Sequence, residues 1–191
     1  MTALAPILRP VRPFVGPREG FLYATVVVGS IPIWPFAWHL GLHILGAILL
    51  IGNALVMAVW LTLAGFVGDD DTKRRSARVV NQADAWFTVP GVLLLLGNGL
   101  AMVSARYGGF PAVFAVDWIV AGLGLLTATG LVWAIRLLPT QLALHRLAST
   151  DGPLDRPAFG SLLNRWYVWG VAATVMPVLA AFFMTTKPNI W

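Results

Sequence analysis

Residues 20–68 contain no Asp, Glu, Lys or Arg, and three further runs without charge follow at 86–105, 118–135 and 166–186. A helix needs about 20 apolar residues to cross the hydrocarbon core of a bilayer, and these runs reach that length or approach it. A membrane barrel would instead show short strands of alternating polarity. The runs therefore predict an all-α integral membrane protein, a four-helix bundle with spans at about 37–66, 86–105, 114–135 and 166–186. Only 11% of the residues are charged, against about a quarter in a soluble domain.

The net charge of +5 sorts by loop. Lys73, Arg74, Arg75 and Arg78 lie between the first and second runs, and Arg136, Arg146, Arg156 and Arg165 between the third and fourth. The remaining loop holds only Arg106. The charge bias of cytoplasmic loops predicts that loops 67–85 and 136–165 face the cytoplasm, with the protein in the inner membrane of a cell. Membrane lipid is the expected surrounding, and the basic residues need no nucleic-acid partner. With no cysteine, disulfides and thiolate metal sites are excluded.

The N-terminal part, residues 1–36, reads as a separate unit from the bundle at 37–191. Its arm carries Pro6, Pro10, Pro13 and Pro17 with Arg9, Arg12 and Arg18. A short apolar segment at 21–36 follows, interrupted by Pro32 and Pro35. No A-x-A-like cleavage site follows it, so it is read as retained. That segment either forms a fifth, short crossing or lies at the interface. The arm at 1–20 is expected to be held by other membrane protein subunits.

Two stretches read nearly alike, GAILLIGNAL at 46–55 and GVLLLLGNGL at 91–100. Each sets one asparagine behind a glycine. In lipid, small residues let helices approach and amides bond across the contact, so Asn53 and Asn98 are expected to meet in a packing seam. The alternative is an inverted repeat flanking a midplane site, as in many transporters. Residues alternately four and three apart share a stripe. On the third span the predicted inner stripe runs through Asp117, Ala121, Gly124, Ala128, Leu131 and Ile135.

His39, His43, Asp117 and Met184 are all predicted at the outward end of the bundle. A neutral imidazole has a lone pair for a haem iron or a metal. His43 is the candidate ligand of a b-type haem, Met184 a candidate second ligand, and Asp117 a carboxylate that would orient the ring. His39 and His43 with a methionine would also suit copper. His145 lies beyond the opposite end of the third span and cannot share a haem with His43 within one subunit. The chain has no phosphate-binding glycine loop, nucleophile elbow or H-E-x-x-H, so no catalytic constellation is recognisable.

The runs WHLGLHILGAILLIGNAL, DAWFTVPGVLLLLGNGLAM and FFMTTKP resemble an uncharacterised group of bacterial predicted integral membrane proteins. That group is similar to the four-helix CopD and HemJ-like membrane proteins. The HemJ likeness implies a haem-associated redox role with His43 at the matching first-helix histidine, and the CopD likeness implies copper. The chain departs from the HemJ pattern in having no lysine in its spans and no histidine in the second or fourth. The leading expectation is a redox-associated or accessory subunit of a membrane complex. The alternatives are a carrier for copper or a small solute, and a structural subunit without ligand.

Overall fold

The computed structural model describes residues 34–107 and 114–190; the N-terminal arm and the segment at 21–33 lie outside them. Four helices make up the described chain: α1 (Phe36–Val67), α2 (Asp70–Tyr107), α3 (Asp117–Ala148) and α4 (Arg156–Thr186). Each is long and apolar enough to cross a membrane, and no strand occurs among the described residues. Apolar side chains such as Ile48, Val56, Leu93, Val171 and Phe182 stay exposed around the bundle. Without a hydrophobic drive toward the protein centre, that is how a lipid-facing surface is built.

The helices run further than the uncharged runs do. The 38 residues of α2 span about 57 Å at a helical rise of ~1.5 Å per residue, against a hydrocarbon core of about 30 Å. The stretches at 70–85 and 136–148, expected as basic loops, are helical extensions beyond the spans. Their start is well signalled. Asp69 accepts from the Thr72 amide at 2.8 Å, Asp70 and Asp71 occupy the first turn, and Arg75 pairs with Asp71 one turn on. Those are the cap, dipole and side-chain pairings that favour a helix start. Arg74 crosses to the end of α3, donating to the carbonyls of Ala148, Thr150 and Gly152 at 3.1, 2.6 and 2.7 Å.

Three prolines sit inside these long helices, Pro90, Pro139 and Pro177, and the first two are announced by a widened turn. Asp84–Thr88 in α2 and Trp133–Leu137 in α3 are π-helical. Pro90 and Pro139 follow, each six residues after the first residue of its turn. A proline cannot donate to the carbonyl four residues back, and its ring clashes there. Widening the preceding turn lets the helix continue past the ring, and such π turns are frequent at functional sites.

The helices form two hairpins. α1 packs along α2 and α3 along α4, while α1 meets α4, and Asp70–Ala83 of α2 meets Leu138–Ala148 of α3. The last two contacts belong to the end carrying the basic residues, here the basic end. Its core is Leu61, Val80, Leu144, Ala148, Phe159 and Leu163. Toward the other, distal end the hairpins part: no residue of Val89–Tyr107 comes within 8 Å, Cα to Cα, of α3 or α4. The α1–α2 contact is close throughout. A Cβ on Gly46 would stand 2.5 Å from the Leu95 nitrogen, and one on Gly91 would stand 3.0 Å from the Gly46 carbonyl oxygen.

The inner face of α3 is rotated from the expected stripe. Ile119, Gly122 and Thr129 are buried, whereas Leu131 and Ile135 are exposed. Small residues recur at Ala121, Gly122 and Gly124, so they mark no unique face. Met184 decides it, because its methyl end occupies the space a Cβ on Gly122 would need.

Candidate functional site

The polar side chains of the four helices gather in two places. The larger centres on Asp84, the first residue of the π turn in α2. Asn53 of α1 donates to Asp84 Oδ1 at 3.0 Å and to Thr88 Oγ1 at 2.8 Å. The Thr88 hydroxyl donates in turn to Asp84 Oδ1 at 2.8 Å. From α3, the Trp133 indole and the Gln141 amide donate to Asp84 Oδ2 at 3.2 and 2.9 Å. Four donors from three helices thus fill the roughly four lone-pair positions of one carboxylate. None of the four is a cation. Trp133 opens the π turn of α3, so the two proline-linked turns face each other and their first residues bond.

This hub lines the inner end of a cleft of about 580 Å³ between the hairpins. Its walls come from all four helices and are almost wholly apolar, among them Leu50, Val92, Leu96, Leu126 and Val171. Gln141, Trp166 and Tyr167 line the cleft; Gln141 is 4% and Trp166 6% exposed. Gln141 Oε1, Trp166 Nε1 and the Tyr167 hydroxyl are buried and have no partner among the described residues. Buried polar atoms are rarely left so, and each calls for a ligand, a water or an ion. Among the described residues nothing closes the gap between the distal halves of α2 and α3.

The second cluster lies at the distal end, within the first hairpin. His39 Nδ1 donates to Asn98 Oδ1 at 2.8 Å, while Asn98 Nδ2 donates to the Leu94 carbonyl at 2.8 Å. His43 Nδ1 donates to the Leu95 carbonyl at 2.7 Å. Both acceptors are oxygens, so Nδ1 carries a proton in each ring, and the hydrogen bond leaves Nε2 as the nitrogen not engaged with α2. His39 Nε2 is buried with no partner among the described residues. Gly99 makes room for His43, since a Cβ there would stand 3.0 Å from its ring.

The expected site residues therefore separate. Asn53 and Asn98 do not meet: one joins the carboxylate, the other a histidine. Glycines, not a shared amide pair, make the seam between α1 and α2. Asp117 accepts from the Ile190 amide at 3.1 Å, and its helix segment has no residue within 8 Å, Cα to Cα, of α1. Met184 packs on Gly122 in the second hairpin. Among the described residues no three His, Asp or Glu side chains gather as a metal site. Sequence reasoning misses Asp84 and Gln141, because a charged helical extension looks like a loop. The spacing of Asp84 to Pro90, repeated by Trp133 to Pro139, is the signal that could have found them.

Residues 40–188 match the model of a family described as predicted integral membrane protein (DUF2269). The chain belongs to that family. No curated protein and no solved structure matches it. The match takes in nearly all of both polar clusters and the whole cleft, and it leaves the N-terminal arm outside.

Proposed function

We propose that this protein binds a small lipid-soluble molecule in the cleft between its hairpins, as a carrier does. The observation that supports this most is the cleft itself: about 580 Å³ between the hairpins, almost wholly apolar along its walls, with the Asp84 carboxylate among its lining residues. Ligand sites are typically apolar hollows of about 300–1,000 Å³ with a few placed polar groups. By the charge bias of its loops and helical extensions, the basic end faces the cytoplasm, and the molecule enters from the bilayer between α2 and α3. The test fills the cleft. Gly130 lines it, and a Cβ placed there would meet nothing within 4 Å, so Gly130→Leu intrudes without backbone cost. In lipid nanodiscs, titrated with 1-decanol against protein-free discs, the wild type should show saturable heat and Gly130→Leu should not. Equal heats from both would end this reading.

A second reading rests on the histidines. With Nδ1 of each engaged, Nε2 of His39 and His43 is left to ligate, the arrangement by which outer hydrogen bonds orient metal-binding imidazoles. A b-type haem on His43, or copper on both, is the corresponding expectation. The oxidised and dithionite-reduced absorption spectra of the purified protein test haem, and metal analysis of His39→Ala/His43→Ala against wild type tests copper. A featureless spectrum and unchanged metal content would remove it.

A further inference from the structure

The second hairpin carries a cation over an aromatic ring at each of its ends. At the basic end the Arg136 guanidinium of α3 lies 5.0 Å from the centre of the Trp169 ring on α4. At the distal end Lys187, which follows α4, stands 5.4 Å from the centre of the Trp118 ring on α3. On either helix the two pairs are 18 residues apart, about 27 Å at ~1.5 Å per residue, close to the ~30 Å of a hydrocarbon core. Tryptophans and long cationic side chains both settle at the headgroup level. The two pairs therefore mark the two headgroup planes.

The planes differ in charge. At the distal end Asp117 precedes Trp118 and accepts from the Ile190 amide just beyond Lys187, which brings a carboxylate to the same place. At the basic end Arg165 precedes Trp169 by one helical turn and adds a second cation on that side of α4. α4 has no Asp or Glu, and Asp117 is the one acid of α3. Arg136 and Arg165 are exposed, and the ion pairs among the described residues are Arg75–Asp71 and Arg156–Asp70. Asp84 lies near this level too, but four donors already fill it and Arg136 is not one of them. Trp169 packs against the core of the basic end, so the platform under Arg136 is fixed.

We propose that this face of α3 and α4 binds the phosphate of an anionic phospholipid. A guanidinium fork matches phosphate oxygens two at a time, and Trp169 holds the Arg136 fork in place. Two cations without a carboxylate favour a headgroup of net negative charge over a zwitterionic one, whose own cation they repel. Ile135 and Val168, the chain neighbours of Arg136 and Trp169, are exposed and offer apolar surface to the acyl chains. The site is thus a lipid's and not a free anion's. It also lies apart from the cleft, whose lining includes none of Arg136, Arg165 and Trp169, so its failure would leave the cleft reading where it stands.

Native mass spectrometry of the full chain in mild detergent, with dioleoyl phosphatidylglycerol or dioleoyl phosphatidylcholine added, reads the preference. Wild type should hold phosphatidylglycerol about 10-fold or more tightly than phosphatidylcholine. Arg136→Gln and Arg165→Gln should each weaken phosphatidylglycerol binding by about 3–10-fold, the pull of one basic residue at an anionic surface, and the double variant should show no preference. Arg136→Lys keeps the charge and loses the fork, so it should fall between wild type and Arg136→Gln. Lys187→Gln and Arg75→Gln should match wild type. Thermal midpoints near wild type in phosphatidylcholine discs show that the variants fold. If the double variant melts lower, Arg165→Gln decides alone, because it leaves the Arg136–Trp169 stack in place. The proposal is overturned if wild type shows no preference, or if the preference survives Arg136→Gln/Arg165→Gln. An equal loss from Arg75→Gln or Lys187→Gln overturns it as well, since diffuse charge would then be the cause. It falls, too, if inorganic phosphate displaces the lipid where chloride at equal ionic strength does not, because the site then takes a free anion.

Discussion

Asn53 and Asn98 occupy the same place in two near-identical stretches, yet the structure uses them differently. Asn53 is 8% exposed and sits where three helices converge, so its amide joins α1 to a carboxylate on α2 that α3 also holds. Asn98 is only half-buried and lies in the distal half of α2, where the one helix in contact is α1, and it bonds His39. The first tie therefore spans both hairpins, and the second stays within one. A polar residue in a membrane helix takes its role from how many helices reach it, and local sequence does not record that.

Breaking the wider tie should have the largest effect. Asp84→Leu leaves Asn53, Thr88, Trp133 and Gln141 without their acceptor. Hydrogen bonds between membrane helices average about 0.6 kcal/mol and those to charged groups in soluble proteins about 1.5–3, so the four together point to a loss of roughly 2–4 kcal/mol. SDS titration of the purified protein, followed by circular dichroism, should show unfolding at a clearly lower detergent fraction, with Asp84→Asn between this variant and wild type. If Asp84→Leu unfolds with wild type, the hub does not hold the hairpins together. His39→Ala would then be as damaging as any hub change, and the contrast drawn above would vanish.

How much of this is legible in the sequence follows from the same contrast. Charge-free runs announce four membrane helices because lipid enforces backbone self-satisfaction and apolar length. Gly46 and Gly91 announce a close seam because little else permits it. Asp84 is harder to read. It lies just outside an uncharged run, among residues that look like a basic loop, and its importance comes from Trp133 and Gln141, 49 and 57 residues away. The inner face of α3 is hidden for a related reason: Gly122 and Gly124 are equally small, and only the partner Met184 distinguishes them.

The seam offers the next sharpest test. Gly46→Ala puts a methyl 2.5 Å from the Leu95 nitrogen and 2.6 Å from the Gly91 carbonyl oxygen. Backbone cannot step aside as a side chain can, so overpacking here should cost about 1–3 kcal/mol. Gly52→Ala is the control within the same stretch, with nothing inside 4 Å of its Cβ. Replacing an interior helix glycine there should leave stability unchanged or raise it by up to ~1 kcal/mol. Equal losses from both would mean that glycine content, and not the α1–α2 contact, matters.

The narrower tie should be weaker. A double-mutant cycle on His39→Ala and Asn98→Ala, read by the same SDS titration, should give a coupling of about 0.6 kcal/mol, the membrane average. It should be independent of Asp84, since the two clusters share no residue. A coupling above ~2 kcal/mol, beyond the largest such values in membrane bundles, would show that the distal cluster, too, reaches beyond its hairpin.

The smallest effect belongs outside the spans, at the start of α2. Hydrogen bonds from the Thr72 side chain and amide hold the Asp69 carboxyl below its ordinary value, with Arg75 and Lys73 adding to the shift. A carboxyl lowered by folding contributes stability that is complete above its unfolded pKa of ~3.9 and is lost as pH falls through the lower folded value. The thermal midpoint of wild type should thus exceed that of Asp69→Ala at neutral pH, and the difference should close as pH drops below about 4. Because this cap touches only the α2 extension, the hub variants should show the same closing difference. If Asp84→Leu abolishes it, the extension does not fold independently of the hub, and the polar tie between the hairpins reaches all the way to the basic end.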